Sequence, residues 1–208
     1  MTLNQFTELI KNHPDPVVLL EGRREIPRKY AAKAKETGKR LARLFPGLRF
    51  RSGNASGSDE SFSSGVVEID AQRLQIIAPY KTHKEKSRYE KALYDSPESL
   101  SASARKKIVS KTVEATPKYK SLVEDAKEGT RLAAKGAYLV RDTMKAAGHS
   151  KSFPKPVAAL FYVNLQDPEA GGTGHTIRAC KKEGVPCIFQ DIWESWTGEP
   201  ANKRTLFD

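Results

Sequence analysis

A glycine-rich stretch behind an apolar run constrains the fold of this chain more than any other sequence feature. Residues 157–163 have the unbroken apolar character of a strand buried in a parallel sheet. Residues 167–178 then read DPEAGGTGHTIR, and residues 177–183 have a helical pattern that ends at Gly184. Because the first-turn amides of a helix are unpaired and lie at the positive end of its dipole, a glycine turn placed there is typical of an anion site. The stretch therefore predicts a phosphate-bearing or nucleotide-like ligand.

Four further apolar runs have the length of buried strands. They lie at residues 17–20, 48–51, 74–78 and 185–189, and helical patterns separate most of them. Short strands that alternate with helices favour a right-handed, doubly wound parallel sheet. The sequence thus predicts an α/β, Rossmann-like fold with a mainly parallel five-stranded sheet, in one domain that spans residues 1–208.

A basic segment interrupts this alternation. The chain carries a net charge of +11, and residues 81–156 hold 18 Lys and Arg against 9 Asp and Glu. Helical patterns cover residues 84–93, 96–116 and 118–147, whereas the tail from Gly198 has the composition of a loosely held end. We therefore expect a basic helical insertion over residues 81–155, on a surface that attracts polyanions or anionic small molecules.

Several classes of protein do not fit the sequence. No apolar run approaches the roughly 20 residues of a membrane span, and the first residues lack the order of a secretory signal, so we expect a cytoplasmic protein without a membrane partner. Cys180 and Cys187 are expected to be free thiols. The four histidines lack metal-ligand spacing, so we predict neither a metal site nor a cofactor.

Polar, glycine-bearing turns follow the first, second and fourth predicted strands, and the carboxyl ends of parallel strands share one edge of a sheet. For Asp59, contact with a ribose hydroxyl and capping of its helix are equally open; for Asn54 and Ser58, ligand contact and stabilisation of their own turn are equally open. Glycines allow close backbone approach, and the other residues supply hydrogen-bond donors or, at Asp59, an acceptor. The candidate ligand-binding residues are Gly22, Arg23, Gly53, Asn54, Gly57, Ser58, Asp59, Gly171, Gly172, Thr173, Gly174, His175, Thr176 and Arg178.

The same three turns resemble those of the SLOG superfamily, which groups the DprA-like DNA-processing proteins with the LOG-type nucleotide hydrolases. The motifs are Gly22-Arg23 with Pro27, GNASGSDESF after the second strand, and GGTGHT after the fourth, and the resemblance covers residues 16–80 and 156–192. It implies a Rossmann-like fold that binds nucleotide-derived signals, hydrolyses the N-glycosidic bond of nucleoside monophosphates, or binds single-stranded DNA. Self-association, which is frequent in the superfamily, is left open.

The hydrolase signature of that superfamily, PGGxGTxxE, is only partly matched here. Ala170 stands at its proline, His175 at its threonine and Arg178 at the glutamate that the chemistry needs. The cationic Arg178 cannot act as that carboxylate, so the usual hydrolysis is doubtful. Asp59, Asp167 or Glu169 could replace the missing glutamate, and N-glycosidase activity is therefore left open.

Two functions of different classes follow from the sequence. The favoured one is the binding of a nucleotide or nucleotide-derived ligand at the three-turn edge. The alternative is a DprA-like binder of single-stranded nucleic acid that uses the basic segment as an electrostatic track, although that segment holds few aromatic residues. Outside the turns, Tyr80 and Trp193 are expected either to stack a base or to pack at the edge of the framework.

Overall fold

The structure of the protein is a computed structural model, and it describes residues 1–124 and 130–197. Six strands form one sheet in the order β4-β3-β2-β1-β5-β6, and every neighbouring pair is parallel. The predicted parallel α/β architecture is confirmed, but the predicted number of five strands is wrong. The strands are β1 (Val17–Gly22), β2 (Arg49–Ser52), β3 (Leu74–Ile77), β4 (Leu93–Asp95), β5 (Ala158–Tyr162) and β6 (Cys187–Phe189).

The additional strand, β4, lies where the sequence predicted a helix over residues 84–93. Polar turns and a single 3-10 turn at Glu85–Ser87 occupy that region, and three residues then pair with β3 at the edge of the sheet. An edge strand of this length buries little, so its residues need no apolar pattern. The basic segment therefore supplies a strand of the sheet as well as helices.

Eight α-helices accompany the sheet within the described ranges. The predicted helix over residues 118–147 is two helices, and its residues 125–129, with Gly129 among them, lie outside the described residues, as does the tail from Gly198. The helices are α1 (Leu3–Lys11), α2 (Arg28–Leu44), α3 (Ser58–Asp70), α4 (Ala102–Ala115), α5 (Lys120–Glu124), α6 (Arg131–Ala147), α7 (Gly171–Lys182) and α8 (Gln190–Trp193).

Helices cover both faces of the sheet, as the alternation of buried side chains along β1 requires. Val18 and Leu20 pack on one face, in a cluster that includes buried residues of α1, α2 and α3. Leu19 packs on the opposite face with Ala146 of α6 and Ile177 of α7. The helices of the basic segment thus form part of the second helical layer.

Residues 171–176 begin α7 instead of forming a turn ahead of it. Gly171 has φ of 67°, a left-handed conformation that favours glycine, and Gly172 opens the regular part of the helix. Gly174 lies so close to the preceding loop that a Cβ atom would overlap the carbonyl oxygen of Glu169. Glycine is therefore needed here partly for helix-to-loop packing, which the sequence pattern did not predict.

Other expectations concern residues away from the turns. Cys180 and Cys187 are free thiols, as predicted. Trp193 is fully buried, and its Nε1–H donates to the Phe161 carbonyl oxygen at 2.9 Å, so it packs within the framework.

Over the described ranges, no helix is both long and apolar enough to cross a bilayer. Residues 1–124 and 130–197 contain no cluster of side chains suited to a metal ion.

Candidate functional site

A cleft of about 510 Å³ opens at the carboxyl edge of the sheet, where the chain order reverses between β1 and β5. This is the place at which doubly wound sheets usually bind ligands, and the volume is within the usual range of ligand sites. The end of β1, the loop before α3, the start of α7, the 3-10 turn at Pro117–Tyr119 and the helix α6 surround the cleft. Its lining residues are Glu21, Gly22, Arg23, Arg24, Glu25, Ala55, Asp59, Tyr119, Lys135, Tyr138, Leu139, Arg141, Asp142, Ala170, Gly171, Gly172 and Thr173.

The start of α7 forms one rim of the cleft. Ala170 is the N-cap residue and offers no side-chain acceptor to the first-turn amides. Among the residues that the structure describes, a Cβ atom on Gly171 or Gly172 would meet nothing within 4 Å, so the backbone there is open to an approaching group. Unpaired amides at a helix N-terminus attract anions, and Thr173 beside them adds a hydroxyl donor.

The first predicted turn reaches the same cleft through Gly22 and Arg23. A Cβ atom on Gly22 would lie 2.5 Å from the Tyr162 carbonyl oxygen and 2.8 Å from Ser58 Oγ, so close packing requires this glycine. The Arg23 side chain is exposed, and within the described part of the chain it has no hydrogen-bond or ionic partner. It is therefore available to a ligand at the rim.

Asp59 joins the ends of β1 and β2 by accepting backbone hydrogen bonds. Its carboxylate accepts from the amides of Gly22 at 3.2 Å, Gly53 at 3.1 Å and Ala55 at 3.4 Å. Although it lines the cleft, Asp59 is only 1% exposed. The predicted capping of its own helix is wrong, because the amides that Asp59 contacts lie ahead of α3, whose N-cap residue is Gly57. Burial and these backbone contacts do not favour the other interpretation, contact with a ribose hydroxyl.

The remaining residues of the second turn support the walls of the cleft without lining it. Ser58 is buried, and its hydroxyl donates to the Arg23 carbonyl oxygen at 2.6 Å. Asn54 is buried with φ of 53°, and Gly57 has φ of 90° and packs against the backbone of Arg24. Gly53 leaves no room for a Cβ atom beside the Arg141 guanidinium. Ligand contact by these four residues is not supported by their placement, because they are already packed against protein groups.

His175 is buried inside α7, and its predicted contact with a ligand is wrong for the same reason. Its Nε2–H donates to the Leu139 carbonyl oxygen at 3.2 Å, and its Nδ1 lies 2.9 Å from the Thr116 hydroxyl. Nε2 also lies 3.0 Å from the Thr143 hydroxyl. Burial lowers the pKa of His175, which favours the neutral ring that these contacts need. The residue attaches α7 to the helices of the basic segment.

Arg178 also faces protein groups instead of the cleft. Its Nε–H donates to the Thr116 hydroxyl at 2.9 Å, and Nη1 donates to the Glu169 carbonyl oxygen at 3.3 Å. Nη1 also lies 3.4 Å from the Glu169 carboxylate. Thr176, one helical turn from the rim, is buried, and its hydroxyl donates to the Glu21 carboxylate at 2.8 Å. Arg178 and Thr176 thus position other groups and do not line the cleft.

A buried network of charged side chains forms the floor of the cleft. The sequence pattern did not predict this network. Lys145 Nζ lies 2.5 Å from the Glu21 carboxylate and 2.9 Å from that of Asp142. Arg141 Nη1 lies 2.8 Å from the Asp142 carboxylate. Arg141 and Asp59 both lie beside Gly53: a Cβ atom on this glycine would be 3.0 Å from the Asp59 carboxylate and closer still to the Arg141 guanidinium. One signal was present: Glu21 is the only charged residue in the run that forms β1.

Charge balance explains how this network holds a proton. Three buried carboxyl groups, those of Glu21, Asp59 and Asp142, share two cations, Arg141 and Lys145. Burial raises the pKa of Glu21 to about 7 despite the nearby Lys145. Burial likewise raises the pKa of Asp59. Burial also opposes ionisation of Asp142, but the adjacent Arg141 and Lys145 hold the pKa of Asp142 below its ordinary value. One carboxyl group therefore keeps its proton to near neutral pH.

Cations predominate above this acidic floor. Arg24 and Lys135 line the cleft with exposed side chains that, like Arg23, have no partner among the residues in the structure's two ranges. The Arg141 side chain is 6% exposed, and its buried Nε has no hydrogen-bond partner. The cleft thus combines cationic groups at its rim with carboxyl acceptors at its floor.

Aromatic rings extend from the cleft along the loop that follows β3. Tyr138 lines the cleft, His83 lies 6.2 Å from it, and Tyr80 lies 5.1 Å from His83, all measured between ring centroids. Lys84 Nζ donates to the Asn54 carbonyl oxygen at 2.8 Å and fixes this loop to the end of β2. Tyr80 is 39% exposed, so base stacking and packing at the edge of the framework both stay open for it. No role was predicted for His83.

A solved structure has a similar fold. No protein-family model matches the chain, and no curated protein matches it. Among solved structures, it is similar to DNA processing protein A from Helicobacter pylori, whose structure was described for its unique single-stranded DNA binding mode. The TM-score is 0.51 with 16% identity, over 88% of this chain and 67% of that one. A likeness at this identity shows the fold, so the chain has a DprA-like, Rossmann-type fold.

Proposed function

We propose that the chain binds single-stranded nucleic acid and seats one backbone phosphate at the N-terminus of α7. The observation that carries this proposal is the meeting of two kinds of phosphate ligand at one cleft. The open backbone at Gly171 and Gly172 offers the first-turn amides of α7, while Arg23 and Lys135 offer exposed cations that have no partner within residues 1–124 and 130–197. Backbone amides and arginine side chains are the groups that most often contact nucleic-acid phosphates.

The positive field continues beyond the cleft, which favours a polymer over a single phosphate. His83 responds to this field: burial lowers its pKa, and Arg141, Lys84, Arg24 and Arg88 lower it further. These cations thus lie close enough together to act on one imidazole ring. A strand with one negative charge per nucleotide could follow them out of the cleft. The fold similarity to DNA processing protein A supports the same class of ligand.

A free nucleotide is the second candidate, and the floor of the cleft favours it. The cleft has room for a nucleotide, and the carboxyl groups of Glu21 and Asp142 line it as hydrogen-bond acceptors. Such acceptors suit the hydroxyl groups of a sugar or the amino groups of a base, while the phosphate would occupy the α7 rim. We propose no bond cleavage, since Arg178 stands at the position of the hydrolase glutamate and contacts Glu169 instead of the cleft.

Fluorescence anisotropy with a labelled single-stranded oligonucleotide tests the proposal. Gly172→Leu should lower the affinity at least about 10-fold, because its side chain would occupy the open space before the α7 amides. Gly47→Leu is the matched control: a Cβ atom there also meets nothing within 4 Å, but Gly47 lies before the amino end of β2. Equal affinities of the two variants would contradict the phosphate position.

Salt dependence separates the two candidates. Each phosphate contact contributes about −0.7 to the slope of log K against log salt concentration for a single strand. The double variant Arg23→Ala, Arg24→Ala should therefore flatten this slope, whereas Arg105→Ala, Lys106→Ala, on the exposed part of α4, should not. If binding of single strands did not depend on salt, and if nucleoside phosphates raised the melting temperature, the ligand would be a free nucleotide instead of a polymer.

A further inference from the structure

We infer that Tyr80, His83 and Tyr138 form a stacking surface for unpaired bases of the strand whose phosphate occupies the α7 rim. This inference rests on the proposed function and specifies it, because it assigns a contact to the bases as well as to the backbone. We call these three residues the aromatic row. The occupant is single-stranded nucleic acid, since a duplex keeps its bases stacked on each other.

The rings of the aromatic row lead from the interior of the cleft to the surface. Tyr138 lines the cleft, and its ring is perpendicular, at 89°, to that of His83. The ring of His83 is in turn perpendicular, at 86°, to that of Tyr80, which is 39% exposed. A base leaving the cleft therefore meets aromatic surface at successive positions, as single-strand binding requires.

The innermost ring is held in place by the charged network. The Arg141 guanidinium lies 5.4 Å from the Tyr138 ring centroid, and Asp142 holds Arg141 through a 2.8 Å ion pair. Lys84 fixes the loop that carries His83 through its hydrogen bond to Asn54. Rings that are already fixed lose little conformational entropy when a base stacks on them, so less of the favourable stacking energy is offset on binding.

Core packing does not account for the aromatic row. Within residues 1–124 and 130–197, none of its three members belongs to the hydrophobic clusters that fill the two faces of the sheet. By contrast, Tyr89 and Tyr94 of the same basic segment pack against one of those clusters. Large rings kept out of the core and placed beside cations are the combination that recognises single strands.

Abasic oligonucleotides distinguish base stacking from phosphate binding, because they retain the backbone charge. The wild-type protein should bind an oligonucleotide with several adjacent abasic sites roughly 10-fold more weakly than the intact strand. Tyr80→Ala, at the ring outside the cleft, should weaken binding of the intact strand while leaving affinity for the abasic strand unchanged. Tyr138→Ala, inside the cleft, should weaken binding of the intact strand more than binding of the abasic strand. Tyr138→Phe and Tyr80→Phe keep the ring and should behave as wild type, which controls for loss of the hydroxyl group.

The outcomes separate this inference from the proposed function. Equal wild-type affinity for intact and abasic strands would overturn the aromatic row and leave phosphate binding intact. Absence of binding to either strand would overturn the proposed function itself. If an alanine variant lost affinity for both strands equally, with its far-ultraviolet circular dichroism unchanged, the rings would serve the phosphate site and the stacking role would be rejected.

Discussion

Replacement of Glu21 by Gln tests the charge balance beneath the cleft. In the wild type, three buried carboxyl groups face two cations, and one of the carboxyl groups keeps its proton up to near neutral pH. Glu21→Gln leaves two carboxyl groups for Arg141 and Lys145 and removes the need for that proton. Gln keeps the size of the side chain and can still present an oxygen to Lys145. The substitution therefore changes the proton balance with little change in packing.

The pKa of Glu21 sets the size and sign of the effect. It rises from the ordinary value of 4.5 to about 7 because the carboxyl group is buried. A carboxyl group with a raised pKa contributes stability that is complete below pH 4.5 and is lost as the pH rises through 7. At roughly 1.4 kcal/mol per pKa unit, the wild type should lose about 3 kcal/mol of unfolding free energy from this group between pH 4.5 and 8.

Urea unfolding of both proteins, at intervals between pH 4.5 and 8, measures this difference. The stability of the wild type relative to Glu21→Gln should fall across that range and level off above pH 7. Glu90→Gln, at an exposed carboxylate, is the control and should run parallel to the wild type. Parallel curves for the wild type and Glu21→Gln would show that Glu21 is ionised throughout, and the argument from charge balance would be wrong.

Two further predictions concern the helix start and the loop after β3. Gly174→Ala should lose about 1–3 kcal/mol of unfolding free energy, because its Cβ atom would overlap the Glu169 carbonyl oxygen. Gly172→Ala has free space and should lose none, as urea unfolding would show. The lowered pKa of His83 should rise when a phosphate strand neutralises the surrounding cations, in a proton NMR titration with and without oligonucleotide. An unchanged His83 pKa in the complex would place the strand elsewhere.

The parallel sheet could be predicted because its central strands leave a clear pattern. The strand β5 is buried throughout and reads as an unbroken apolar run, and β1 begins with the buried apolar residues 17–20. The strand β4 has only three residues, and its Leu93 is 45% exposed at the edge of the sheet. Such a strand is held by backbone pairing with β3, which leaves little pattern in the side chains.

The location of the cleft was more predictable than the roles of individual residues. Gly171, Gly172 and Arg23 were predicted from local pattern and do line the cleft, although their ligand contact remains a prediction. For His175, the same reasoning was wrong because glycines around it indicated an open turn. Its burial depends on Leu139 and Thr116, which are far away in the sequence. Contacts of this kind follow from how helices pack, and no local motif reports them.

The floor of the cleft was missed for a related reason. Asp142 and Lys145 lie in a segment rich in charged residues, where solvated helix faces are the usual outcome. Only the packing of α6 against the sheet shows that this particular pair is buried beside Glu21. Glu21 itself, at the end of a buried strand, was the available clue that a polar partner must exist.

The helix α6 contributes side chains to both the core and the cleft, and this limits which substitutions on α6 the protein can tolerate. Val140 and Met144 fill a hydrophobic cluster, while Tyr138, Arg141 and Asp142 line the cleft. Mutations on α6 that alter ligand preference would therefore also disturb folding. Evolution toward a new ligand would proceed more easily through exposed positions such as Arg23, where a substitution carries little risk for the fold.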